Sequence, residues 1–188
     1  EGVFTWTMGT GAGPDFLVNK LPDRVGDLAG LTYIIWARAY NGGYVPYSYY
    51  FLWSVNDMNA RIDIGPMVDI PIAQSPQPGD APVGRRFAWT AAGAMPSINT
   101  GIILKPAFPA PIPIWTIQQP GNVKEFTLPD LVGAGGPTPF ETTVTQYYWA
   151  VVPELAESTF NFNDYSMLDL AGEKVRAYAA NAWLFQNQ

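Results

Sequence analysis

Residues 47–53, Tyr47-Ser48-Tyr49-Tyr50-Phe51-Leu52-Trp53, are dominated by aromatic side chains and contain neither glycine nor proline. Aromatic and β-branched residues favour pleated, half-buried backbone, so the segment is expected to be a strand running from Tyr47 to Val55. Successive side chains of a strand point to opposite faces. If Tyr47, Tyr49 and Phe51 face inward, Tyr50 and Leu52 face outward, and about half of the cluster is then either covered by another sheet or offered to a partner. The approach to it, Tyr40-Asn41-Gly42-Gly43-Tyr44-Val45-Pro46, is turn-like and carries a further ring. Tyr and Trp combine a flat apolar body with a polar handle, which suits a core, a subunit interface or a sugar-stacking platform. Tyr44, Tyr47, Tyr50 and Trp53 are therefore the candidate interface or ligand platform.

Working outward, the same period-two or β-rich pattern recurs between Gly/Pro breaks. Strands are expected over Val3 to Met8, Leu31 to Tyr40, Arg61 to Ile64, Met67 to Ile72, Arg86 to Thr90, Gly101 to Leu104, Ile112 to Ile117, Val123 to Leu128, Thr142 to Val152 and Lys174 to Phe185. In Phe4-Thr5-Trp6-Thr7-Met8 the apolar side chains fall on one face and the threonines on the other. Helix is expected only as short turns, at Asp23 to Leu28 and at Asn163 to Gly172, where Asp164 is a cap and Gly172 a stop. Many strands with long loops and no alternating βα rhythm predict an all-β chain: an antiparallel β-sandwich, of the jelly-roll barrel type with long Pro/Gly-rich loops, forming one domain over residues 1–188.

Proline sets the punctuation. Pro76-Gln77-Pro78-Gly79-Asp80 and Gly133-Ala134-Gly135-Gly136-Pro137 donate few ladder hydrogen bonds and are expected as loops. Pro106-Ala107-Phe108-Pro109-Ala110-Pro111-Ile112-Pro113 is excluded from a central strand and is expected to cross over the barrel or stand as an exposed arm. An apolar-x-Trp-Thr pattern recurs at Phe4 to Thr7, Phe87 to Thr90 and Pro113 to Thr116, at unequal spacings that exclude a solenoid; its tryptophans are expected to anchor the core.

Function is bounded mainly by what the chain lacks. Its 188 residues contain no histidine and no cysteine. Histidine titrates near neutrality and is the commonest metal ligand, while cysteine supplies thiolates and structural zinc sites. A Ser-His-Asp triad cannot exist here, none of the six serines lies in a G-x-S-x-G elbow, and no phosphate-binding G-x-x-x-x-G-K-[ST] loop occurs. Gly9-Thr10-Gly11-Ala12-Gly13-Pro14 is a turn, broken by its proline. Of the 16 acids, Glu154 with Glu157 and Asp164 with Asp169 are close enough in sequence for carboxylate-pair hydrolysis, but they are expected in a solvated loop without a flanking signature. Asp57-Met58-Asn59 and Asn161-Phe162-Asn163-Asp164 offer oxygen ligands for calcium without matching the EF-hand pattern. The reading is a non-enzyme with no cofactor and no metal.

Net charge is −6, with 10 basic residues against 16 acidic. A duplex-binding protein needs a basic face, so no direct nucleic-acid contact is expected. No apolar run approaches the roughly 20 residues of a membrane span, so the chain is expected to be soluble. It begins at Glu1 without an initiator methionine, which implies that something preceding it has been removed.

Phe4-Thr5-Trp6-Thr7, then Gly11 and Gly13, then Phe16-Leu17-Val18-Asn19-Lys20-Leu21-Pro22 resembles the aromatic-x-Trp, glycine, Leu-Pro pattern near the first barrel strands of picorna-like virus capsid proteins. The terminal Gln188 resembles the ends left when the polyprotein protease of such viruses cuts after glutamine. The resemblance implies a jelly-roll coat subunit located in the virion, with itself and other virion subunits as partners. Composition agrees with that class, since a coat protein needs strands, Pro-rich arms and large aromatic contact surfaces but no reaction centre. The alternative is a secreted or cell-surface carbohydrate-binding module or adhesin, with Tyr47 to Trp53 as its platform and Asn56 and Asp57 beside it.

Overall fold

The computed structural model describes residues 25–26, 29–57, 62–136, 138–166, 170 and 174–187. Among them are nine strands: β1 (Tyr33–Tyr40), β2 (Tyr47–Val55), β3 (Ile72–Ser75), β4 (Arg86–Thr90), β5 (Ile98–Lys105), β6 (Ile112–Pro120), β7 (Glu125–Thr127), β8 (Gln146–Ala156) and β9 (Val175–Gln186). They form a six-stranded sheet in the order β1-β2-β9-β8-β5-β6 and a three-stranded sheet in the order β3-β4-β7. All strand pairs are antiparallel. The expected all-β, two-sheet architecture is therefore the one observed.

The sheets share one buried cluster. Phe87, Trp89, Phe126 and Ala73 of the small sheet pack against Ile103, Tyr147, Trp149, Val151 and Phe185 of the large one. Phe87 is its hub, with its ring 5.0 Å from Phe126, 5.5 Å from Trp149 and 5.3 Å from Phe185. The apolar-x-Trp-Thr repeats serve this core where they are described: Phe87 and Trp89 are buried in it, and Trp115 packs against its rim. The repeat at Phe4 to Thr7 and the strand expected over Val3 to Met8 lie outside the described residues.

A second cluster occupies the β2/β9 end, where Tyr50, Ala177 and Ala179 meet Val68. Here the inner face is covered by irregular chain. The strand expected over Met67 to Ile72 is reduced to a single bridge, Val68 to Gly93, and regular pairing starts only at Ile72. Pro66 and Pro71 flank this segment and withhold ladder donors, which accounts for the shift. Side chains of the large sheet replace the missing ladder: Ser48 Oγ donates to the Val68 carbonyl at 2.7 Å and Asn181 Nδ2 to the Pro71 carbonyl at 2.9 Å. Ile62 to Ile64, expected in a strand from Arg61, is irregular, and Arg61 lies outside the described residues.

Other boundaries moved for local reasons. The strand expected from Thr142 begins at Gln146, and it extends past Val152 through Pro153 and Glu154 to Ala156, so the acid expected in a loop sits on a strand. The proline-rich stretch does not cross the barrel: Ile112 and Pro113 already belong to β6, and residues 106–111 form the exposed turn of the β5–β6 hairpin. Proline is tolerated there because β6 is the edge of its sheet. Of the helix expected over Asn163 to Gly172, a 3-10 turn, Phe162–Asp164, is described, whose N–H at Asn163 is capped by the Asn161 side chain; residues 167–169 and 171–172 of that stretch, and most of the turn at Asp23 to Leu28, lie outside the described residues.

Candidate functional site: the outer face of the large sheet

The face of the six-stranded sheet turned away from the core carries the aromatic stretch, with the opposite parity to that considered from sequence. Tyr50 points inward and is 7% exposed, packed against Val68 and Ala177, whereas Tyr47, Tyr49, Phe51 and Trp53 point outward. Register decides this. Ser48 and Tyr50 pair with Ala179 and Ala177, small inward residues of β9 that leave room for a tyrosine ring beneath them. Tyr49 pairs with outward Tyr178.

The outward rings form a continuous ladder. Tyr49 stacks on Phe51 (centroids 5.9 Å, planes 10° apart) and on Tyr178 (5.2 Å, 21°), and Phe51 stacks on Trp53 (5.6 Å, 16°) and Tyr178 (5.8 Å, 16°). Tyr47 meets Tyr49 and Tyr178 edge-on. From β1, Trp36 adds a ring 5.7 Å from Tyr49, and the Arg38 guanidinium lies over Tyr40 at 4.2 Å. Three near-parallel rings at such similar mutual distances cannot all overlap face to face, so Tyr49, Phe51 and Tyr178 lie partly side by side along the sheet. Burial pushes the Tyr47 and Tyr178 phenols up, reinforced by the neighbouring tyrosines and opposed by Arg38, so the hydroxyls stay protonated donors.

Between the ladder and β8 lies an open cleft of about 330 Å³, lined by Phe51, Trp53, Val152, Val175, Leu170, Tyr178 and Glu154. Trp53 is fixed at its wall by donating Nε1 to the Val175 carbonyl at 2.9 Å. Glu154 is its acidic group. Thr100 Oγ1 donates to Glu154 Oε1 at 3.2 Å, and burial pushes the carboxyl up while that hydrogen bond pulls it down. Beyond Glu154 the face is closed by Tyr165, whose hydroxyl donates to Gln118 Oε1 at 2.7 Å and whose phenol is raised by burial and by the Glu154 charge.

The four residues singled out from sequence thus separate. Tyr47 and Trp53 stand on the outer face. Tyr44, 95% exposed, lies outside the strands in the β1–β2 connection. Tyr50 belongs to the core and leaves the candidate platform. Trp36, Arg38 and Tyr178 were not among the sequence candidates; the alternation of β1 hints at the first two, but nothing local to Tyr178 reveals that β9 lies beside β2. Glu154 and Glu157 do not converge, because Glu157 follows the end of β8 and borders a separate depression with Asp164 and Lys174; Asp169, considered as the partner of Asp164, lies outside the described residues. Among the described residues, no group of three or more acidic, His or Cys side chains is placed to hold a metal ion, and no helix is long and apolar enough to cross a membrane.

No protein-family model, curated protein or solved structure matches the chain.

Proposed function

We propose that the chain is a non-enzymatic structural subunit, a jelly-roll-like coat protein of a virus particle, that assembles with copies of itself or companion subunits through the outer face of its large sheet. The observation that carries this reading is the aromatic ladder on a sheet face that stays solvent-exposed at Trp36 (48%), Tyr40, Ile114 and Tyr148. Six strands spaced about 4.8 Å apart and about 25 Å long span a flat footprint of roughly 600 Å². That approaches the ~800 Å² per partner of a standard stable interface. Exposed aromatic-rich surface of this kind marks association faces, and buried Tyr, Trp and Arg are the strongest interface anchors.

Geometry weighs against the carbohydrate platform. A sugar ring stacks its C–H face on an exposed aromatic face, and Tyr49, Phe51, Trp53 and Tyr178 are each only part-exposed. Among the described aromatic rings only Tyr44 and Phe108 stand nearly fully free, in separate connections between strands, and two separated rings are not a row.

The test is solution mass. Sedimentation or light scattering of the wild type should give species larger than one chain, and Trp36→Asp, which places a charge on the exposed face without touching the core, should return the mass to that of one chain at nearly unchanged melting temperature. A wild type that remains a single chain at every concentration, or is retained by a polysaccharide column through Tyr44, overturns the assembly reading.

A further inference from the structure

We propose that Phe108 of one copy inserts into the Glu154 cleft of a second copy, a directional knob-in-cleft contact; it rests on the reading that the chain self-associates and specifies how. Phe108 is 99% exposed at the tip of the β5–β6 hairpin, the most exposed large apolar side chain of the described residues. It sits in Pro106-Ala107-Phe108-Pro109-Ala110-Pro111, where three proline rings fix their φ angles. A knob already held in place loses little conformational freedom on docking, which favours binding.

The cleft fits such a knob in size and in charge. A cavity of about 150 Å³ lined by aliphatic and aromatic side chains accommodates benzene, so about 330 Å³ walled by Phe51, Trp53, Val152, Val175 and Tyr178 takes a phenyl ring with part of its flanking prolines. The six residues of the hairpin tip carry no charge. The positive rim of a phenyl ring suits the Glu154 carboxyl, and the Thr100 hydroxyl already partners one of its oxygens. Docking therefore seals no second charge into the cleft.

The sheet register excludes the chain's own cleft as the docking site. At the hairpin end of β5, Leu104 pairs with Tyr148; at the other end, Ile98 pairs with Glu154. Six residues of strand separate these points by about 20 Å, with the tip extending beyond Leu104, away from Glu154. Knob and cleft thus lie at opposite ends of one sheet. A contact between two different patches is head-to-tail, and its repetition closes a ring or propagates a filament. One phenylalanine buries about 150–250 Å², far less than a stable interface of at least ~1,200 Å². The knob therefore sets direction and register for an association whose main area is the outer face.

The experiment compares wild type and Phe108→Ala by sedimentation across a concentration series, and replaces Phe108 by a photo-crosslinking phenylalanine analogue in a mixture of isotopically light and heavy chains. Phe108→Ala should weaken self-association at least tenfold with an unchanged melting temperature, and light–heavy crosslinks should map to residues 51–53, 152–154 or 175–178. Association of Phe108→Ala equal to wild type, or crosslinks confined to other segments, overturns the knob while leaving assembly intact. A wild type that never exceeds one chain overturns both.

Discussion

Tyr49 on β2 and Tyr178 on β9 are direct cross-strand partners whose rings stack 5.2 Å apart, while the next residue, Tyr50, passes through the same sheet to the opposite side and packs beside Ala177. Two adjacent tyrosines thus have different work. Removing a buried aromatic ring costs about 3–5 kcal/mol, whereas a surface aromatic pair contributes about 0.5–1.5 kcal/mol beyond its burial. Urea denaturation should rank Tyr50→Ala well below Tyr49→Ala in stability, with the former losing roughly 3 kcal/mol and the latter about 1–2 kcal/mol. The reverse order would mean that the ladder faces the core.

Gly121 sits in the turn after β6, its N–H bonded to the Ser97 carbonyl at 3.2 Å and its own carbonyl receiving Asn99 Nδ2 at 2.9 Å. A Cβ built there collides with the Pro96 carbonyl, a backbone atom that cannot swing aside. Gly121→Ala should cost about 2–3 kcal/mol or more, as overpacking does. Gly84→Ala, where an added Cβ meets open space but φ is +60°, should cost about 1 kcal/mol. Equal denaturation midpoints for the two variants would contradict the close approach.

For Glu154 the sign of the pH effect follows from its raised carboxyl. The folded state holds the proton to a higher pH than the unfolded chain does. The stability this confers is therefore complete below the unfolded value, near pH 4.5, and is lost as pH rises through the folded value. Glu154→Gln keeps an acceptor for the Thr100 hydroxyl and cannot ionise. Melting temperatures measured from pH 4 to 8 should show wild type losing ground to the variant as pH rises, and parallel curves would show that the carboxyl titrates normally.

Trp149 is buried between Phe87 and Trp183, and its indole Nε1 finds no hydrogen-bond acceptor among the described residues. A buried unsatisfied donor costs about 1–3 kcal/mol. Trp149→Phe exchanges lost contact area against removal of that donor, so it should change stability by less than about 1.5 kcal/mol, while Trp149→Ala should cost about 3–5 kcal/mol. Calorimetry on the pair checks the difference.

The strands were legible wherever pattern and punctuation agree. Tyr47–Val55 and Arg86–Thr90 have the expected limits because both are bounded by turn residues and filled with rings or branched side chains. The inward side of β2 was not legible, since both of its faces are aromatic and only pairing with Ala177 and Ala179 selects Tyr50. Glu154 was misplaced for a related reason: Pro153 suggests a strand end, yet β8 continues through it. The cleft gathers residues from β2, β8 and β9, as far apart in sequence as Phe51 and Tyr178, and that juxtaposition has no local signature.

The small sheet spans only half the width of its partner, and the uncovered half of the inner face is closed by unpaired chain around Val68. Amide protons of a strand laddered on both edges exchange only when several neighbours break together, whereas those laddered on one edge escape by a smaller excursion. The β9 amides are laddered on both edges around Ala177 and Tyr178, by β2 and β8, and on one edge at Phe185, by β8 alone. The amide of Phe185 should therefore exchange faster than that of Tyr178, and the chain would begin to unravel at the end away from the aromatic ladder.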